Sequence, residues 1–202
     1  MKNFIKLSIA LIVVSFIFGS KPNHTPQGET DVETNCCSHK STCTKNEKMY
    51  LPKCTVLVKP LGDVDHSDLT DAVSVIQEFY GWDAYIGRKA ELTSDLFISG
   101  SDIVNAETCL GRFYSTERVV YIIDKRMWAK GTHVKGYAAK TGGTVFVKGD
   151  KSTLRETLIH EIGHTLGLSH CSDLSCIMAI NNDAYETGKF CNNCKRQINF
   201  YD

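Results

Sequence analysis

The chain has 202 residues, 42% of them hydrophobic and 23% charged, with 23 basic side chains against 23 acidic ones. This is globular composition with room for one substantial core, and it excludes collagen-like, low-complexity and wholly disordered classes. Balanced charge leaves no electrostatic footprint for nucleic acid or for an anionic membrane surface, and no groove-reading motif is present, so no nucleic-acid partner is expected.

Residues 1–20 read as an export signal. Lys2 and Lys6 give a positive start, Leu7 to Phe18 form a twelve-residue apolar stretch, and Gly19 and Ser20 are small enough for cleavage. The stretch falls short of the about 20 apolar residues that a membrane span requires. A secreted or periplasmic protein is therefore expected, with an uncleaved membrane anchor as the alternative. Residues 21–49 are polar and read as a tether. They carry Cys36, Cys37 and Cys43, which in an exported chain favour disulfides over metal.

A folded domain is expected from residue 50 to residue 202. Cys54 to Lys59 is β-branched and reads as a strand, broken by Pro60, Gly62 and Asp63. From Asp68 to Tyr80, apolar residues at three- and four-residue steps (Leu69, Ala72, Val73, Ile76, Phe79, Tyr80) mark a helix that Gly81 ends. Residues 87–118 carry no decisive period. Val119 to Asp124 reads as a strand. Val134 to Lys140 and Thr144 to Lys148 form a hairpin about Thr141-Gly142-Gly143, and Gly149-Asp150 breaks it. Thr153 with Glu156 spells a capping box, opening a helix that runs to about Leu166.

That helix carries the chemistry. Residues 160–170 read HEIGHTLGLSH. His160 and His164 stand one helical turn apart, so both imidazoles leave the same face and can grip one ion. Gly167 can take the left-handed conformation that stops the helix and turns His170 back to the same point. Five fixed residue types at about one in twenty each recur by chance roughly once in three million positions, which rules against coincidence. Three neutral nitrogens leave tetrahedral zinc one position for water, the arrangement of a catalytic site. A zinc-bound water, with Glu161 as general base, then points to peptide-bond hydrolysis, and the same physics would serve another amide or an ester. The imidazoles must be neutral to hold the ion, so metal and activity are expected to fall together below about pH 6.

Four cysteines follow. Cys171 and Cys176 are separated by four residues, Cys191 and Cys194 by two. Two close pairs joined by a loop form a tetrathiolate zinc frame, and in an exported chain two or more disulfides are the alternative. Cys54 and Cys109 are candidates for a core disulfide, or for buried apolar thiols. His133, near the hairpin, and Tyr185 are weaker site candidates.

HEIGHTLGLSHC, then a further Cys with Ile-Met, then a terminal CxxC, resembles the archaemetzincin family of zinc metallopeptidases in the metzincin clan. The family pattern is met by His160, Glu161, His164, Gly167, His170, Cys171, Cys176, Met178, Cys191 and Cys194. Segments at Pro60 to Asp65 and Gly136 to Gly143 are also similar. The resemblance implies an α+β fold: a metzincin-like twisted mixed sheet, an active-site helix and a cysteine-rich zinc-binding C-terminal part from residue 171 to 202. It implies two zinc ions per chain, one catalytic on His160, His164 and His170 and one structural on the four cysteines. Met178 becomes the Met-turn residue beneath the catalytic zinc, and the strand at Thr144 to Lys148 the sheet edge that an extended substrate joins. Two features depart from the pattern: a short loop at residues 179–190, and an export signal with five further cysteines. The expected partner is a peptide or protein substrate of a monomeric enzyme. A non-catalytic zinc-binding or interaction module on the same scaffold is the alternative.

Overall fold

The computed structural model describes residues 51, 53–180 and 188–198. The stretches expected to be an export signal and a tether with Cys36, Cys37 and Cys43, and also Tyr185, lie outside the described residues. Two period-2 patterns in one strand explain the architecture. In β4 (Val119–Ile123) every residue is buried. Val120 and Ile122 face one core, while Val119, Tyr121 and Ile123 face another. A strand buried on both faces must be central and covered on each side.

β4 lies in the middle of a sheet ordered β2-β1-β4-β8-β7, with β1 at Thr55–Leu61, β2 at Asp83–Ile86, β7 at Gly136–Ala138 and β8 at Thr144–Lys148. The first four of these run parallel; β7 alone is antiparallel, paired to β8. On one face pack α1 (His66–Tyr80) and α3 (Leu154–Thr165), tied together by the Tyr80 hydroxyl, which donates to the Ile159 carbonyl at 2.9 Å. The other face is covered by α2 (Ala106–Phe113) and a three-stranded sheet of β3 (Val104–Asn105), β5 (Met127–Ala129) and β6 (Thr132–Val134). A short helix, α4 (Asn192–Ile198), buries Cys194 and Ile198 in the first core. This mixed sheet with its helices agrees with the expected fold class.

Four expectations need correction. Pro60 does not break β1. Its carbonyl accepts from the Ala90 N–H at 2.8 Å, so its nitrogen faces the same flank, beyond the last β1–β2 pair, where no ladder donor is needed. The expected strand from Val134 to Lys140 is divided, Val134 ending β6 and only Gly136–Ala138 joining β8. Thr153 precedes α3 but makes no capping bond. Its ψ of −3° lies outside the extended region that a capping hydroxyl requires, and the Asp150 carbonyl takes the Leu154 N–H at 2.7 Å instead. Finally, β8 is internal, held between β4 and β7, so the free edge at that end of the sheet belongs to β7.

Candidate active site

α3 ends as the sequence requires. Gly167 has φ 86°; the Leu168 N–H reaches back to the Gly163 carbonyl at 3.1 Å and the Gly167 N–H to His164 at 3.0 Å. This is a Schellman motif, and it redirects the chain so that His170 returns to the helix face it has just left. The His160 and His164 rings lie 4.8 Å apart, and His170 stands 5.4 Å from the first and 4.8 Å from the second.

The tautomers follow from the neighbours. Nδ1 of His160 is 2.7 Å from the Ile177 carbonyl, and Nδ1 of His164 is 2.8 Å from that of Leu168. A carbonyl only accepts, so each Nδ1 carries the hydrogen and each Nε2 keeps its lone pair. The two Nε2 atoms face each other at 3.1 Å. With metal–nitrogen bonds of 2.0–2.1 Å, a tetrahedral zinc separates its nitrogens by roughly 3.3 Å, so the spacing fits a shared ion. Burial pushes all three imidazoles below their ordinary range, His164 to about 4. The rings therefore stay neutral further into acid than a free imidazole does.

Glu161 is 8% exposed and burial pushes its carboxyl up to about 8, against the opposing charge of Lys130. It leans on β7 at Gly136, where an added Cβ would meet its Cγ at 2.5 Å and its Oε1 at 2.7 Å. The same logic operates beneath the histidines. At Gly163 a Cβ would lie 2.6 Å from the sulfur of Met178, which is fully buried against the helix between the two ligand positions.

A cleft of about 580 Å³ opens over these groups, with Thr157, His160, Glu161 and His164 as floor and β7 as one wall. His133 is exposed and packs edge-on against Trp128 at 4.8 Å, outside the cleft lining. Tyr137, half-buried on β7, and Lys130 and Lys140 on the rim were not singled out from sequence. Gly136 stood only within a segment of family likeness, and Gly163 sits at a position the motif leaves open.

The second cluster lies one residue beyond His170. The four sulfurs of Cys171, Cys176, Cys191 and Cys194 are within 4.8 Å of one another, with Cys171–Cys191 at 3.8 Å and Cys176–Cys194 at 3.7 Å. Zinc–sulfur bonds of about 2.3 Å set tetrahedral sulfurs roughly 3.8 Å apart, whereas a disulfide needs about 2.05 Å. Hydrogen bonding from Cys176 and then Cys194 holds the Cys191 thiol far down, and Cys194 is pushed far up by its neighbours. Four crowded sulfurs ionise one at a time unless a cation joins them. The Cys191 N–H also donates to the Cys176 sulfur at 3.3 Å. None of the six cysteines among the described residues is in a disulfide; Cys54 and Cys109 sit in different cores, which excludes a bond between them and leaves them as packed thiols.

Imidazoles converging in an open cleft beside a buried carboxylate, on a mixed sheet with this helix placement, describe a zinc metallopeptidase rather than a closed structural zinc protein. The model of Peptidase family M54 matches residues 151–200. The archaemetzincin of Natronomonas pharaonis is 24% identical over 172 residues, spanning 70% of this chain and 97% of that one. The archaemetzincin of Archaeoglobus fulgidus is 31% identical over 109 residues, spanning 46% and 68%. Its crystal structure, complexed with malonate, has the same fold, with a TM-score of 0.61 at 21% identity over 71% of this chain and 99% of that chain. The structure of archaemetzincin from Methanopyrus kandleri gives 0.61 at 22% identity, over 73% and 94%. The chain belongs to the archaemetzincin family, peptidase family M54.

Proposed function

We propose that this metallopeptidase hydrolyses peptide bonds in the cleft between β7 and α3, with zinc held by His160, His164 and His170. Zinc there supplies Lewis acidity to a peptide carbonyl and to the attacking water. Glu161 takes the proton from that water and returns it to the departing amine. Gly136 leaves the space that the Glu161 side chain occupies. β7 has a partner on one side only among the described residues, so an extended substrate can add to its open edge. Met178, pressed against Gly163, is the floor that keeps the helix face from yielding.

A second zinc on Cys171, Cys176, Cys191 and Cys194 has a structural role. The chain acts as a monomer after export, residues 1–20 being the signal, 21–49 a tether and 50–202 the catalytic domain. The single observation that carries the reading is the pair of Nε2 lone pairs facing one another at 3.1 Å beside Glu161.

The test is hydrolysis of an internally quenched peptide library by the zinc-loaded full chain and by Glu161→Gln. The variant is expected to keep its zinc and lose at least about 100-fold in kcat. A zinc-loaded wild type that cleaves nothing would favour a binding module, and a variant as active as wild type would remove Glu161 from the reaction.

A further inference from the structure

The turn between β5 and β6 has an unexpected residue at its tip. Ala129 pairs with Thr132, so the connection consists of Lys130 and Gly131, with φ 49° and 79°. Positive φ at both central positions makes a type I′ turn, whose first position ordinarily holds Asn, Asp or Gly. Among the described residues Lys130 is the one non-glycine residue with positive φ. Strain of this kind persists where the side chain has a use that a relaxed residue could not serve.

Lys130 lines the catalytic cleft together with Glu161 and His170. Its ammonium stands 5.9 Å from the centre of the Tyr137 ring on β7, within cation–π range, which limits its swing. It has no ion-pair partner among the described residues; Glu107 accepts from its backbone N–H at 3.5 Å and so supports the turn. Its charge acts on Glu161 and His170, while that of Lys140, beyond the other end of β7, acts on His164 and His170. With Lys135, three cations border the cleft, and among its described lining residues the one carboxylate is the buried Glu161. A concave low-dielectric wall concentrates such a field.

We propose that Lys130 is a specificity-determining residue that pairs with a substrate carboxylate, making acidic peptides the preferred substrates. This rests on the cleft being the peptidase site. The carboxylate can come from an Asp or Glu side chain near the scissile bond or from a free C-terminus.

The zinc-loaded full chain is offered end-blocked quenched peptides differing only by Glu or Gln beside the cleaved bond, and a second series with free or amidated C-termini. Acidic over neutral preference in kcat/KM is expected at roughly five- to tenfold at low salt, shrinking as ionic strength rises. Lys130→Asn, which suits the turn, should bring that ratio towards one, and Lys130→Arg should preserve it. Fluorescence anisotropy of labelled Glu and Gln peptides on the metal-free chain gives a readout independent of catalysis, with the same dependence on residue 130. Lys130→Asn retaining the wild-type ratio, or a wild type without acidic preference in both assays, overturns the proposal. If nothing is cleaved but the metal-free chain still selects acidic peptides through Lys130, the peptidase reading fails and what stands is acidic-peptide binding at Lys130 without a substrate preference. Preference confined to the free C-terminal series assigns the carboxylate to the terminus.

Discussion

Glu161 is where function and stability conflict most directly. The carboxyl is buried against Gly136, and its pKa of about 8 in the fold stands above the 4.5 of the free side chain. Between these values the folded chain holds a proton that the unfolded chain has released. The stability this confers is complete below about pH 4.5 and is lost as pH rises through 8. Glu161→Gln has no such proton to lose. In the metal-free state the variant should therefore match wild type near pH 4.5 and become progressively more stable than it up to about pH 8, by on the order of 4 kcal/mol. Urea denaturation of both metal-free chains at several pH values measures the gap, and parallel curves would show that the carboxyl is better solvated than its burial implies. The histidines, common to both chains, contribute the opposite slope, since their lowered pKa values cost stability as pH falls below 6.5.

At the scale of elements, the helix and the cysteine loop form one construction. Cys176 immediately precedes Ile177, whose carbonyl fixes the His160 tautomer, and Met178, whose sulfur supports Gly163. The Cys171 N–H donates to the Met178 carbonyl at 2.9 Å, so the same cysteine cluster also anchors the segment bearing His170. Cys171→Ser or Cys194→Ser should accordingly weaken zinc at the histidines by roughly 10- to 100-fold, as loss of ligand-orienting contacts does elsewhere. Competition with a chromogenic chelator reports this affinity, and an unchanged value would mean the two sites are independent. Much of this element was legible from residues 160–170, because ligand spacing and a left-handed glycine are properties of a short segment. The Thr153–Glu156 box was misleading for the same reason: the pattern was present, but the turn from Gly149 and Asp150 brings Thr153 in at angles that aim its hydroxyl elsewhere.

On the scale of the whole molecule, strands with β-branched runs were visible, whereas β3, β5 and β6, two or three residues each, are too short to show a period. Lys130-Gly131 lacks the usual Asn-Gly signal, so the cleft wall it forms was hidden. Which strand is the edge is a property of topology, not of composition, and neighbouring β7 and β8 could not be ranked without it. The two clusters of candidate ligands differ in the same global sense. The histidines face an open cleft and His170 is exposed, while Cys176 and Cys194 lie inside the core with Phe190 and Ile198. A mild chelator should therefore strip the cleft first, abolishing hydrolysis with little change in Tm. A stronger one should then remove the second ion, expose four thiols to a thiol reagent and lower Tm by several degrees, because core residues lose their cross-link. Zinc analysis alongside thiol titration of the full chain measures both steps, with two zinc ions per chain expected at the start. One zinc, and no thiols released by the stronger chelator, would mean that the sulfurs have oxidised in pairs and that the loop is held by covalent bonds instead of metal.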